Sequence, residues 1–462
     1  MTSRVAALRA AEALVDSGAF TADLSRLVAC PTESQVPDND ATLRRYLTDV
    51  LPPLLAPLGA TTTLFDNPTP GGGPFLLIER MEDPTRPTIF SYGHGDVIRA
   101  QTDLWRDGLT PFELTQEGDR LYGRGTADNK SQHLINLLAL RTVLAERGHL
   151  GFNLKFLIEM SEETGSRGLD TFCATHADRL AADVLIASDG PRLDAAMPTI
   201  FMGTRGAANF DLTVYKRDGA HHSGNWGGLL SDPAQRLIHA IARICDARGA
   251  IKVPEWRPNS LTAEIRELIR DLPASDGSGP PIDPDWGEPG LTPSERVLGW
   301  NSFAVLAMTS GIPDAPVNAI SGSARATCQL RFVVGTDMDD ILPALRRHLD
   351  ANGFDDVQID GGDEVLFHAT RLDPAHPWSL MVRQSVEATT GRTPHVVPNL
   401  AGSLPNHVFS EILGLPTVWL PHSYRGCSQH APNEHTLLPL CRDALRLMTG
   451  LFWDIGASDP PC

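Results

Sequence analysis

The first part of the chain alternates short apolar segments with one long helical segment, and this alternation limits the possible folds more than any other feature. Residues 88–92, 154–158 and 184–187 read as three short buried strands. Residues 130–146 lie between the first two strands and carry leucines at helical spacing. Strand, helix and strand at these lengths indicate βαβ units, and therefore an α/β fold with a mostly parallel sheet.

A second pattern begins at about residue 206 and interrupts the first. Its predicted strands and helices follow the order βαββαβ, which is typical of a small two-layer α+β module. In chain order they are residues 209–215, 232–248, 302–308, 324–334, 338–351 and 357–359. The α/β pattern then returns, with elements predicted at residues 405–413, 417–420 and 443–453. The sequence therefore predicts one α/β domain formed by residues 1–206 and 374–462, with a smaller domain inserted at residues 207–373.

Residues 254–293 form a loop-rich stretch inside the inserted domain. This stretch is interpreted either as a low-complexity linker or as an ordered excursion of the domain. Its two tryptophans, Trp256 and Trp286, favour the ordered excursion, because large aromatic side chains are usually packed against other residues.

Charge and cysteine usage exclude several classes of protein. The chain has 57 acidic and 39 basic residues and a net charge of −18, which repels nucleic-acid phosphates and acidic lipid surfaces. No window reaches the roughly 18 apolar residues of a membrane span, and charges within residues 1–20 predict an amphipathic helix rather than a secretion signal. The seven cysteines are scattered and form no CxxC pair, which argues against a disulfide framework or a thiolate zinc site. This usage predicts a reducing compartment, and therefore a cytoplasmic protein.

Imidazole and carboxylate side chains follow the predicted strands of the α/β domain. GHGD follows the first strand, EMSEETGS the second and SDG the third. GRGTAD leads into the long helix, and SQHAPNEH comes soon after the strand at residues 417–420. In an open α/β sheet, ligands bind outside the carboxyl ends of the strands, so these segments are expected to converge on one site.

Each of these residues alone has an ordinary explanation, because Asp and Asn cap helices and a single His is often only a hydrogen-bonding residue. Several carboxylates in one cleft, however, raise each other's pKa and oppose burial. No Lys or Arg stands beside His94, Glu162, Glu163 or Asp189 in the sequence. One or two divalent metal ions would resolve this conflict, and imidazole with carboxylate favours zinc, with manganese or cobalt as alternatives.

Five segments together carry a family resemblance: GHGDV (93–97), LYGRGTADNK (121–130), SEETGSRGLD (161–170), SDGP (188–191) and HAPNEH (430–435). In this order they resemble the dizinc metallopeptidase family of aminoacylase, acetylornithine deacetylase, carboxypeptidase G and carnosinase. GTRG (203–206), HSG-x-x-GG (222–228) and the long inserted lid are most similar to the carnosinase-like dipeptidase branch. The resemblance implies a zinc-peptidase-like sheet with helices on both faces and an inserted lid and dimerisation domain.

The resemblance also implies two zinc ions bridged by Asp128. His94 and Asp189 would bind one ion, and Glu163 and His430 would bind the other. Such a pair of ions would clamp the hydrolytic water and polarise the scissile carbonyl.

Further catalytic roles are implied beside the metal ligands. Asp96 would orient the imidazole of His94. Glu162 would be the general base that takes a proton from the attacking water and later gives it to the leaving amine. Two adjacent glutamates outside this motif set would instead indicate a solvated helix start. In this family the peptide bond after the bridging Asp128 is cis.

The lid is expected to complete the site in a homodimer. His222, rather than its neighbour His221, matches a family histidine that reaches across the dimer interface to stabilise the oxyanion. Asn318 matches a substrate-contacting position, and Arg331 matches the arginine that binds the terminal carboxylate of the substrate.

Gly402 and Ser403 match a family loop that helps to bind the same carboxylate. Three departures from the family pattern, Ala401, Ser321 and Ser131, spare the metal ligands. The first two are expected near the specificity pocket, which predicts a substrate that differs from a plain dipeptide.

Taken together, the residues and the resemblance predict a dinuclear-zinc hydrolase. It would cleave the amide bond of dipeptides or N-acyl amino acids that carry a free carboxylate. Two alternatives remain open: an N-deacylase or carbamoyl-type amidohydrolase that acts on a non-peptide amide, and an inactive metal-binding scaffold.

Overall fold

The computed structural model describes residues 3–275, 277, 279–361 and 367–458 of the chain. Within these residues, an eight-stranded sheet forms the centre of the α/β part. Its strands lie in the spatial order Thr61–Phe65, Phe75–Arg80, Asn153–Glu159, Thr88–His94, Val184–Ala187, Thr417–Trp419, Thr199–Phe201 and His395–Val397.

The central strands of this sheet are parallel, as the sequence predicts. Thr88–His94 pairs in parallel with both Asn153–Glu159 and Val184–Ala187, and Thr417–Trp419 continues in the same sense. Antiparallel pairs occur nearer the edges, on both sides of Phe75–Arg80. The parallel strands are the ones that carry candidate ligands at their carboxyl ends.

Helices cover both faces of the sheet because its strands alternate their side chains between two cores. In the strand Thr88–His94, Ile89 belongs to one buried cluster, whereas Phe90 and Tyr92 belong to the other. The helices that contribute to the first cluster are Arg4–Asp16, Ala19–Val28, Asp40–Arg45, Pro52–Leu55, Lys130–Arg147, Pro377–Thr390 and Leu438–Ala457. Those on the opposite face include Leu169–Thr175 and Ala177–Leu180.

A separate antiparallel sheet, four-stranded in the described part of residues 207–373, forms the inserted unit. Its strands lie in the order Ser302–Ser310, Ser323–Phe332, Gly206–Tyr215 and Val357–Asp360. Helices Pro233–Ile244 and Ile341–Ala351 pack on this sheet around a third core. This is the predicted order βαββαβ, while the exact domain boundaries stay a prediction.

Two helices of the inserted unit are shorter than predicted, and local turns explain both differences. Pro233–Ile244 ends four residues earlier than predicted, because Asp246 accepts hydrogen bonds from the N–H groups of Arg248 at 2.8 Å and Ala250 at 2.9 Å and forms a turn there. Ile341–Ala351 starts three residues later than predicted, because Asp337 accepts a hydrogen bond from the N–H of Asp339 at 3.1 Å and forms a turn there.

The loop-rich stretch at residues 254–293 is ordered over its described residues. Trp256 is fully buried and donates its indole N–H to the carbonyl of Ile341 at 2.9 Å. Trp286 is 59% exposed, so only the first tryptophan acts as an anchor. Helix Ala263–Ile269 lies within this stretch, and helix Pro293–Leu298 begins at its end.

Short elements complete the described fold. The predicted helix at residues 405–413 is a single π-helical segment, Val408–Ile412, and the closing helix is longer than predicted. Short ribbons and a small sheet pair His221–His222 with Ala319–Ile320, Pro191–Arg192 with Ser423–Tyr424, and Arg120–Tyr122 with both Thr115–Glu117 and His435–Leu437. Every helix in the described part of the chain is too short or too polar to span a bilayer. Six cysteines lie there as free thiols, and Cys462 lies outside the described residues.

Candidate metal centre

The side chains predicted as metal ligands come from separate loops and meet at one edge of the large sheet. Most follow the carboxyl ends of its parallel strands, where successive loops necessarily converge. One ends its strand, one precedes the long helix, one lies in a short 3-10 turn and two follow in later loops. In chain order they are His94, Asp128, Glu163, Asp189 and His430.

Two groups of these side chains have the spacing that a metal ion requires. In the first group, the Nε2 atom of His94 lies 3.0 Å from Asp128 Oδ1 and 3.7 Å from Asp189 Oδ2. In the second group, the Nε2 atom of His430 lies 3.0 Å from Asp128 Oδ2 and 2.9 Å from Glu163 Oε2. In each group, the potential ligand atoms lie within 4.8 Å of one another. Asp128 gives one carboxylate oxygen to each group, which is the arrangement of a bridging ligand.

The electrostatics of these groups fit divalent cations. Burial and the Asp128 carboxylate raise the pKa of Glu163 to about 7 and the pKa of Asp189 to about 6. Hydrogen bonds to Asp128 and Glu163 raise the pKa of His430 to about 11. The Oδ2 atom of Asp189 is buried without a hydrogen-bond partner. A donor set of imidazole nitrogens and crowded carboxylate oxygens, with one oxygen unsatisfied, is the environment that zinc-like ions favour.

Asp96 supports this centre in two ways. Its Oδ1 atom lies 3.3 Å from Nδ1 of His94, the imidazole that it is predicted to orient. Its two carboxylate oxygens also accept hydrogen bonds from the backbone N–H groups of Glu162 (3.2 Å) and Glu163 (3.1 Å). The second contact, which sequence reasoning missed, fixes the loop that carries both glutamates. The peptide bond Asp128–Asn129 is cis, as the resemblance implied.

A cavity of about 570 Å³ opens in front of both ligand groups. Its floor includes side chains of the two groups together with Glu162, whose pKa burial raises well above the ordinary value. Its lining residues are Asp128, Glu162, Asp189, Gly190, Pro191, Leu193, Phe201, Ala207, Asn209, Gln329, Arg331, Phe367, Leu400, Ala401, Gly402, Ser403, Leu404, Arg425, Gln429 and His430.

One wall of the cavity presents the predicted carboxylate-binding residues. Arg331 donates through Nη1 to Ser403 Oγ at 2.7 Å and through Nε to Gln329 Oε1 at 3.0 Å. Ser403 in turn donates to the carbonyl of Arg205 at 2.7 Å, and Gly402 lies beside it in the wall. The structure therefore brings Arg331, Gly402 and Ser403 together with the metal-ligand groups.

Two predicted substrate-contacting residues lie elsewhere in this chain. His222 and Asn318 are exposed and belong to neighbouring segments, since the N–H of Ser223 donates to the carbonyl of Asn318 at 2.9 Å. Neither residue lines the cavity. His221 packs against Trp226 instead, with ring centroids 6.1 Å apart.

The three departures from the family pattern also have distinct positions. Ala401 lines the cavity, as expected for a residue near the specificity pocket. Ser321 does not line the cavity of its own chain, since it follows the ribbon strand Ala319–Ile320 and donates to the carbonyl of Ser323 at 2.9 Å, so its place near the specificity pocket stays a prediction. Ser131 is buried in the first turn of the long helix.

Several cavity residues were not predicted from the sequence. Gln429 donates to Asp128 Oδ2 at 2.5 Å, and Gln329 donates to Asn209 Oδ1 at 2.8 Å. Strand alternation was a usable signal for Gln329, because it lies two residues before Arg331 on one strand and so shares its face. Loop residues such as Arg425 had no comparable signal.

Comparisons with known proteins identified a matching family and several similar sequences. The profile of peptidase family M20/M25/M40 matches residues 90–454. Beta-Ala-His dipeptidase of Mus musculus is 38% identical over 185 residues, which are 39% of this chain and 37% of that protein. Cysteinylglycine-S-conjugate dipeptidase of Corynebacterium striatum is 32% identical over 260 residues, 53% of each protein. These matches thus span about a third to a half of the curated relatives.

Solved structures share the whole fold. The crystal structure of human carnosine dipeptidase 1 superposes with a TM-score of 0.76 at 24% identity, covering 99% of this chain and 100% of that one. An M20 family metallo-carboxypeptidase of Sulfolobus solfataricus superposes with a TM-score of 0.78 at 23% identity, covering 95% and 99%. These similarities establish the α/β architecture with its inserted unit.

Proposed function

Because the chain belongs to peptidase family M20/M25/M40, we propose that it is a metal-dependent hydrolase that cleaves the amide bond of dipeptides. One observation carries this proposal: two ligand groups share Asp128 at the floor of a cavity whose wall presents Arg331. The dipeptidase names of its sequence relatives support a substrate with a free terminal carboxylate.

The proposed cofactor is a pair of Zn²⁺ ions, with Mn²⁺ or Co²⁺ as alternatives. His94 and Asp189 would hold one ion, Glu163 and His430 the other, and Asp128 would bridge them. When bound, such ions supply Lewis-acid activation of the attacking water and of the scissile carbonyl.

Glu162 is proposed as the general base. It lines the cavity beside both ligand groups but belongs to neither of them. Its raised pKa suits a carboxylate that takes a proton from the attacking water and gives it to the nitrogen of the leaving amine. Asp96 would keep Glu162 in place through the backbone bond described above.

Arg331 and Ser403 are proposed to hold the terminal carboxylate of the substrate. A guanidinium presents a planar fork that matches a carboxylate with two parallel hydrogen bonds. Ser403 and Gln329 each engage one donor of this guanidinium, and because Arg331 lines the cavity, its other donors are proposed to bind the carboxylate. This contact would place the scissile bond over the metal centre.

We further propose a homodimer formed through the inserted lid. The edge strand Ser302–Ser310 exposes Val305, Leu306 and Met308, which are 42%, 54% and 42% exposed. An exposed apolar edge strand favours pairing with a second copy. In such a dimer, His222 of the partner subunit would stabilise the oxyanion, which accounts for its exposed position outside the cavity of its own chain.

The decisive experiment assays zinc-loaded protein against dipeptides and against N-acyl amino acids with the same leaving amino acid. Zinc content is measured on the same samples, and Glu162→Gln serves as the inactive control. We expect hydrolysis of dipeptides that disappears in Glu162→Gln with zinc content unchanged. Metal-loaded protein that cleaves no dipeptide would refute the proposed function.

A further inference from the structure

Glu434 is a buried carboxylate that lies beside the metal centre without belonging to either ligand group. The strand His435–Leu437 pairs with Arg120–Tyr122, and its register places His435 opposite Tyr122. The preceding residue, Glu434, therefore enters the loop that leads from Tyr122 to Asp128. Its backbone carbonyl accepts a hydrogen bond from the N–H of Gly123 at 3.0 Å, which extends the strand pairing to this point.

The side chain of Glu434 is 1% exposed and accepts four hydrogen bonds. Its Oε2 atom accepts from Arg124 Nη1 at 2.8 Å and from the N–H of Gly125 at 3.1 Å. Its Oε1 atom accepts from the N–H groups of Ala127 at 2.8 Å and Asp128 at 3.1 Å. Both carboxylate oxygens are thus engaged by donors of one short loop.

These contacts give Glu434 a different task from that of the metal ligands. Arg124, also 1% exposed, offsets its charge and lies over the Trp105 ring at 5.6 Å. With both oxygens turned towards N–H donors, the carboxylate has no orientation free to bind a cation. It instead accepts a hydrogen bond from the backbone N–H of Asp128, and it lies four residues after His430 in the chain.

We propose that Glu434, paired with Arg124, is a positioning residue that sets the spacing between the bridging Asp128 and His430. The inference rests on the proposed function, because it concerns the assembly of the same metal centre. The group of His94, Asp128 and Asp189 shares Asp128 with the loops that Glu434 joins, but its other two ligands lie on neither loop. The group containing His430 has two ligands, Asp128 and His430, on the loops that Glu434 joins, so its ion depends more strongly on these hydrogen bonds.

The four hydrogen bonds that Glu434 accepts require a carboxylate at this position. A glutamine at this position would offer one acceptor oxygen, and its NH₂ group would face two N–H donors in either amide orientation. Changing a residue that orients metal ligands in this way lowers the metal affinity by about 10- to 100-fold. Glu434→Gln is therefore expected to lower the metal affinity of the group that contains His430 by about that factor.

Glu82 provides a matched control far along the sequence. It accepts hydrogen bonds from Arg80 Nε and from the N–H groups of Leu150 and Gly151, all at 2.9–3.0 Å. Glu82 therefore accepts hydrogen bonds from one arginine and from backbone N–H groups, as Glu434 does, but it contacts no candidate metal ligand. Glu82→Gln should lower the melting temperature of the protein without changing its zinc binding.

The test measures zinc stoichiometry and affinity by titration in metal buffers, together with the melting temperature of metal-free protein. In Glu434→Gln we expect the equivalent held by the His430 group to bind about 10-fold or more weakly, while the other equivalent, which shares only Asp128, loses less affinity. In loaded protein, kcat should fall with KM unchanged. If Glu434→Gln does not fold, Arg124→Lys replaces it, since it keeps the charge but loses the planar fork, and the same selective loss is expected.

Two results would overturn the inference: unchanged binding of both equivalents in Glu434→Gln, or an equal loss of zinc in Glu82→Gln. The proposed function fails separately, if parent protein that binds two zinc ions cleaves no dipeptide. In that case the zinc titrations of the variants still decide the role of Glu434.

Discussion

Replacing Arg331 by methionine tests how the cavity holds its substrate. Among the described residues, no carboxylate forms an ion pair with Arg331, and burial lowers the pKa of its guanidinium. Ser403 and Gln329 occupy part of its donor fork and fix its direction. A bound substrate carboxylate would therefore gain hydrogen bonds to a desolvated cation, each worth about 1.5–3 kcal/mol. Two such bonds amount to at least about 3 kcal/mol, or about 100-fold in kcat/KM.

The assay compares alanyl-alanine with its C-terminal amide on the parent protein and on Arg331→Met. We expect the free acid to lose about 100-fold in kcat/KM, mainly through KM, while the amide changes little because it lacks the carboxylate. Arg325→Met is the matched control, since Arg325 lies on the same strand but is 60% exposed and pairs with Asp211. An equal loss on acid and amide would refute the assignment of Arg331 to the carboxylate.

Four other outcomes follow from the same geometry. Glu162→Gln should lower kcat by about 10²–10⁴-fold with zinc content unchanged, and full turnover would contradict its role as base. Glu162→Gln and His222→Ala should each be inactive, yet equal mixing under subunit exchange should restore about a quarter of parental activity, because each heterodimer has one complete site; no recovery in verified heterodimers would contradict a shared site. Leu306→Asp should halve the mass seen by light scattering and abolish turnover, whereas an active monomer would argue against the dimer. Metal-free protein should melt at lower temperature as pH rises from about 6.5 to 8, a range above the pKa of buried histidines such as His133, whose titration has the opposite effect: stabilisation from protonated Glu163 is full below 4.5 and lost through about 7, and that from protonated His430 is full below 6.5 and lost through about 11. Calorimetry checks this, and a melting temperature that rises over the same range would contradict it.

The sequence predicted that the loops with the candidate ligands converge, because the placement of these loops follows from a simple rule of sheet geometry. Loops after parallel strands share one edge, so residues far apart in the chain, such as His94 and Asp189, had to approach each other. The strand ends themselves were less certain. The strand predicted at residues 88–92 continues to His94 because it pairs residue by residue with Asn153–Glu159. The glycine at position 93 interrupts the apolar pattern that a sequence shows.

The cavity wall was harder to predict because tertiary packing sets it. Gln329 could be found from its strand, but Phe367 and Arg425 reach the cavity from segments whose paths have no periodic signal. Glu434 is a similar case. Its motif was recognisable in the sequence, but its role depends on a strand register and on four donors from a loop more than 300 residues away in the chain.

The exposed positions of His222 and Asn318 mark a different kind of limit. A chain's own strand pattern encodes distances within one copy, and these two residues lie together on a ribbon outside their own cavity. The hydrolytic half of the proposed site, from Asp128 to Arg331, is assembled within one chain, whereas the proposed oxyanion contact requires a second one. Metal binding and dimerisation should therefore be separable. A monomer would keep both ions and lose turnover, because the transition state, unlike the metals, needs a side chain that its own subunit does not place in the cavity.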